Sequence, residues 1–106
     1  MAYSYPFIDA DEILKMVVWN KGIDIPNYDH NEWRQDICGH PMRYSDHGNT
    51  DSKYGWEIDH IFPQALSGSD DPKNLQPLYW ENNRAKGDTW PWKCPNKNSP
   101  ATQRKP

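Results

Sequence analysis

Apolar residues recur at helical spacing in one stretch of the chain. Ile13, Met16 and Val17, with Asn20 behind them, lie three and four residues apart, which places them on one helix face. Asp9 is an N-cap residue, Glu12 completes a capping box three positions on, and Ile8 stands at the staple position. Gly22 is a natural stop. The pattern predicts a helix over 10–20 whose stripe covers a small sheet. Further on the period changes to two. Trp56-Glu-Ile-Asp-His-Ile61 alternates apolar and polar side chains, as a strand does, and Pro63 ends it. Leu75 to Tyr79 is a second short strand, and Pro77, which lacks a ladder donor, places it at an edge. Trp80 to Lys86 is compatible with a helix stopped by Gly87. The rest is turn chemistry. Residues 23–32 form a turn-rich loop, Trp33 to Tyr44 a short turn and then a strand, and Ser45 to Gly55 and Ser67 to Pro72 surface loops. There is no internal repeat. Four prolines from Pro91 onward predict a weakly structured end, with 96–106 a flexible tail.

Composition narrows this picture. A chain of 106 residues supports one domain, taken here as 1–95, and not two. Apolar content is 35% and mean hydropathy −1.11, so the core must be small. Six Trp and six Tyr compensate, because each buries a large area while keeping a polar edge wet. Two cysteines, Cys38 and Cys94, are too few for a disulfide scaffold. They fit a reducing cytoplasm, with Cys38 a small buried hydrophobe. No basic segment precedes an apolar run, so no signal peptide is expected. The longest apolar-rich stretch, Ile13 to Trp19, is too short to span a membrane. A soluble protein with no membrane partner is the expectation.

The net charge of −3 argues against a blanket polyanion binder. It hides an asymmetry. Residues 1–71 carry five bases against thirteen acids, and residues 72–106 seven bases against two.

The chemistry-bearing residues fall inside the strand–loop–strand–helix unit. Asp59-His60 stands at the end of the first strand, Asn74 before the second, and Asn83 on the helix. Neighbours on a strand point to opposite faces, so Asp59 and His60 serve one site only where the strand ends. Carboxylate and amide oxygens suit a hard cation such as Mg²⁺. An imidazole beside it can act as a general base. Asn83 and Lys86 share a helix face, which puts a neutral oxygen ligand beside a cation suited to phosphate.

These residues carry a resemblance. Trp56-Glu-Ile-Asp-His-Ile-Phe-Pro63, Asn74-Leu-Gln-Pro-Leu78 and Glu81-Asn-Asn-Arg-Ala-Lys-Gly-Asp88 resemble the HNH endonucleases, most strongly over 56–88. The resemblance implies a small α+β domain with a ββα-metal core, a two-stranded antiparallel sheet plus helix, to which the N-terminal helix is added. It implies His60 as the general base and Asp59 and Asn83 as ligands of one divalent ion, Mg²⁺ or Mn²⁺. Asn74 would orient the His60 segment, and Lys86, Arg84 and Lys73 would meet phosphate. Glu57, two before Asp59, either adds charge to the metal site or forms a salt bridge. The implied partner is DNA, double-stranded first, cut with low sequence specificity by a monomer or weak homodimer. A catalytically silent nucleic-acid-binding module is the alternative. A bacterial or phage source, and so a cytoplasmic location, is implied by the resemblance alone.

One departure stands out. Many family members carry two Cys-x-x-Cys pairs for a structural zinc; those positions here are Cys38, Pro41, Tyr79 and Asn82. A structural zinc is therefore not expected, and aromatic packing would take its place. A salvaged site from Cys38, His40, His47 and Cys94 fits no standard spacing. Arg34 and Arg43 read as salt-bridge partners, and Trp90 and Trp92 as a clamp for the chain end.

Overall fold

The computed structural model describes residues 9–95 and 106. The staple position Ile8 and the tail over 96–105 lie outside them. Helix α1 runs Ala10–Trp19, with the Asp9 side chain accepting from the Glu12 backbone N–H at 2.8 Å. A three-stranded antiparallel sheet follows: β1 (Ile23–Asp24), β2 (Trp33–Gln35) and β3 (Pro41–Arg43), in that order. Then come β4 (Trp56–His60) and β5 (Leu75–Tyr79), paired antiparallel, and helix α2 (Trp80–Lys86). The fold is a small α+β domain, and β4, β5 and α2 form the ββα unit.

The first sheet departs from expectation, since one strand was foreseen where three form. These strands are two or three residues long and rich in polar side chains, too short to show a period. Polar side chains tie them together, one buried and one exposed. Arg34 is buried, pairs with Asp24 at 3.1 Å, and donates to the carbonyls of His30 and Gly22. Arg43 pairs with Glu32 at 2.6 Å.

The face that α1 buries also differs. Ile13, Met16 and Val17 are 50%, 45% and 42% exposed, while Val18 and Trp19 are buried and Leu14 packs beside them. Spacing pointed to the other face: the side that turns inward carries Glu12 and Lys15, which meet Tyr44, between Val18 and Trp19. Trp19 sets the inward side. Its ring packs against Trp56 at 5.1 Å and Tyr44 at 5.3 Å, and its indole N–H donates to the His30 carbonyl. Val18, Trp19, Met42, Trp56 and Leu75 form the core. Glu12 binds the Tyr44 hydroxyl at 3.0 Å and Lys15 at 3.3 Å. Burial and the Glu12 carboxylate push the Tyr44 phenol up to about 12.

A third correction concerns the cysteines. Cys38 is buried as foreseen, but it is joined to Cys94 in a disulfide. Both thiols are therefore committed, which removes the four-residue zinc arrangement. The pair no longer speaks for a reducing compartment. No helix among the described residues is long and apolar enough to cross a membrane.

Candidate active site

The site is built where β4 ends. In the β4–β5 ladder Asp59 faces Gln76, His60 faces Leu75, and Pro77 sits opposite Ile58. Every residue of β5 is buried. α1 lies against β5, and α2 against both strands. Gly87 closes α2 with φ of 50°, a conformation that favours glycine.

On the α2 side of β4 two carboxylates meet the helix. Glu57 accepts from the Asn83 amide at 2.8 Å and from the Arg84 guanidinium at 2.7 and 3.2 Å. Asp59, 6% exposed, accepts from the Gln76 amide at 2.9 Å and the Lys86 ammonium at 3.2 Å. Lys86 also donates to the His60 carbonyl at 2.8 Å. Lys86 is thus 3% exposed and internal. Its expected phosphate contact is corrected: the ammonium neutralises Asp59 and fixes the end of β4. Arg84 is exposed and forms a salt bridge with Glu57. Lys73 is exposed on a single 3-10 turn, Pro72–Asn74, and does not line the cleft described below.

His60 is the last residue of β4, and Asn74 is the last residue of the loop that leads from it to β5. Asn74 makes three side-chain hydrogen bonds: its Oδ1 accepts from the Phe62 N–H at 2.8 Å, and its Nδ2 donates to the carbonyls of Phe62 at 3.1 Å and Ser69 at 2.7 Å. Its backbone carbonyl accepts from the Ile61 N–H at 2.7 Å. Asn74 therefore closes the 61–74 loop onto the end of β4. The His60 imidazole meets Asp70, Nε2 to Oδ1 at 2.8 Å. Sequence reasoning missed Asp70 and Gln76. Asp70 is one acid in a polar turn, and Gln76 is recognisable only once the ladder register is known.

A cleft of about 370 Å³ opens here. Asp59, His60, Asn83, Arg84 and Asp88 contribute its polar lining. Among the described residues no three His, Cys, Asp or Glu side chains come together as a metal cage. The donor set fits a hard dication that keeps most of its water: one carboxylate, and one amide oxygen left over when Asn83 Nδ2 binds Glu57.

The positions aligned with the zinc-binding cysteines are joined by a carboxylate. Asp36, 1% exposed, accepts from the backbone N–H groups of Cys38 and His40, both at 2.9 Å. Its other oxygen accepts from the Tyr79 N–H and the Asn82 amide, both at 3.0 Å. One buried carboxylate thus joins the residues 38–40 turn to the β5–α2 junction. The expected aromatic packing is also there: His40 stacks on Tyr79 at 3.6 Å. His47 packs on Trp56 at 4.6 Å, and burial, followed by Lys15, pushes its pKa down. Trp90 meets Phe62 edge-on at 5.4 Å, consistent with a clamp for the chain end.

No curated protein and no solved structure matches the chain significantly. The family model described as HNH endonuclease matches residues 45–92, a span that holds β4, the closed loop, β5 and α2. Over that span the chain is similar to the HNH endonuclease family.

Proposed function

We propose that the chain is a metal-dependent DNA endonuclease in which His60 is the general base. The observation that supports it is the convergence of Asp59, His60 and Asn83 on one cleft at the end of β4. His60 takes a proton from a water molecule as the water oxygen attacks phosphorus. The bond from phosphorus to the 3′ oxygen breaks, leaving a 5′-phosphate and, after protonation, a 3′-hydroxyl. Asp59 and Asn83 would hold a divalent ion, which would supply charge neutralisation at the phosphoryl group and the departing oxygen. Lys86 and Gln76 orient the Asp59 carboxylate, and Glu57 orients the Asn83 amide. Asn74 holds the loop that carries the base. The reading names low sequence specificity, since no separate base-reading element is present among the described residues.

A silent binding module would need free cations in the cleft. Among the described residues Arg84 is the one Lys or Arg lining it, and Glu57 holds it. The test is supercoiled plasmid incubated with Mg²⁺, Mn²⁺ or EDTA, beside His60→Ala. Nicked or linear DNA with metal, lost with EDTA and in the variant, is expected. No conversion with either metal would sink the enzyme reading, and equal cleavage by the variant would remove His60 from its role.

A further inference from the structure

We infer that Asp70 is a positioning residue for the reaction: it fixes the His60 imidazole in the Nε2–H tautomer and leaves Nδ1 as the basic nitrogen. The inference rests on the nuclease reading above and adds a residue to it. A carboxylate only accepts hydrogen bonds, so the 2.8 Å contact from Nε2 to Asp70 Oδ1 puts the proton on Nε2. Among the described residues Nδ1 has no partner, and the ring lines the cleft.

The surrounding chain is shaped to present this acid. Asp70 itself is 80% exposed at its side chain, so packing does not hold it. The loop does. Asn74 bonds both Phe62, two residues after His60, and Ser69, one residue before Asp70. The Gly68 N–H donates to the Pro63 carbonyl at 2.9 Å, and a Cβ at Gly68 would collide with the Phe62 carbonyl. The Asp71 N–H is held by the Ser69 hydroxyl at 2.8 Å. The Gln64 amide approaches the same Asp70 oxygen at 3.4 Å. Asn74 thus orients the base in two ways, through the Phe62 backbone and through the acid it brings over the ring. An imidazole anchored this way keeps one ring orientation and one tautomer, which is what general-base catalysis requires of it.

The experiment compares ¹⁵N-histidine-labelled wild type and Asp70→Ala at about pH 8.5, where an ordinary imidazole, pKa about 6.5, is neutral. The His60 resonances are assigned by their loss in His60→Gln. In the wild type the two ring nitrogens give well-separated shifts; in Asp70→Ala they move toward each other as the tautomers average. Plasmid cleavage by Asp70→Ala loses about tenfold or more in kcat at unchanged KM, part of the roughly 10²–10⁴ that a positioned base contributes. Asp70→Asn, whose amide oxygen still accepts from Nε2, keeps the wild-type shifts and recovers part of kcat. Unchanged shifts in Asp70→Ala overturn the inference, as does a raised KM at unchanged kcat. A wild-type protein that cuts nothing overturns the nuclease reading instead. The nitrogen shifts need no turnover and still decide whether Asp70 sets the tautomer.

Discussion

Asp36 offers the sharpest test of what joins the residues 38–40 turn to the β5–α2 junction. Four donors converge on its carboxylate, and those from Cys38 and Tyr79 are buried backbone N–H groups. Asp36→Ala strands these two in an apolar setting with nothing to accept from them. Each buried unsatisfied donor costs about 1–3 kcal/mol, and the two half-buried donors add less because water reaches them. The sum is on the order of 4 kcal/mol, a large part of the ~5–15 kcal/mol that holds a small domain. At about 4–8 °C per kcal/mol for a domain of this size, the melting temperature should fall by roughly 20 °C. Asp36→Asn should cost nearly as much: its amide has one accepting oxygen where the carboxylate has two, so its NH₂ group faces a pair of donors. Thermal unfolding followed by tryptophan fluorescence measures this with the disulfide intact. Asp11→Ala, an exposed substitution in the first turn of α1, serves as the control. A fall of less than about 5 °C in Asp36→Ala would refute the reasoning, because the joint would then be held by the disulfide and the His40–Tyr79 stack.

Other outcomes follow from the same geometry. Lys86→Met leaves Asp59 buried without its counter-ion and should cost about 3–5 kcal/mol in urea unfolding, whereas Arg84→Ala, at an exposed pair, should cost no more than ~1 kcal/mol. Equal losses would show that burial does not separate the two pairs. Reducing the Cys38–Cys94 bond, which spans 56 residues, should remove about 4 kcal/mol and lower the melting temperature; an unchanged melt in reductant contradicts this. His47 has a lowered folded pKa, so the unfolded chain binds the proton more readily. Its contribution is fully present above the ordinary value near 6.5 and is lost as pH falls through the folded one. His47→Gln should therefore flatten the acid-side decline in melting temperature below about pH 6.5, and an unaltered slope would count against the assignment.

The ββα unit was legible in the sequence because each element carried its own signal. Alternation marked β4, Pro77 marked an edge strand, and Gly87 marked the end of α2. Asp59, His60 and Asn83 were legible as a set, and the structure brings all three to one cleft. Three things were not legible. The buried side of α1 carries Glu12 and Lys15 beside Val18 and Trp19, so it depends on where Tyr44 and Trp56 lie, a fact about tertiary packing. The strands of the first sheet are too short for any period. The partners of the charged residues depend on register and helix rotation: Lys86 reads as a phosphate ligand at helical spacing from Asn83, yet it finds Asp59 across the α2–β4 contact.

That last point changes how the charge of the molecule bears on its proposed substrate. The C-terminal excess of bases looks like a polyanion surface in the sequence. In the fold, two of the bases in the motif are committed to carboxylates: Lys86 to Asp59 in the interior, and Arg84 to Glu57 at the surface. The cleft then presents Asp59, Asp88 and one committed guanidinium, with Asp70 beside His60. Such a surface does not draw in a phosphodiester by its own field. On the nuclease reading, the positive charge that meets the scissile phosphate has to arrive with the divalent ion. Among the described residues, the exposed Lys73 lies away from the cleft and is open to a phosphate neighbour. On the same reading, removing the divalent ion should weaken plasmid binding more than Lys73→Ala does.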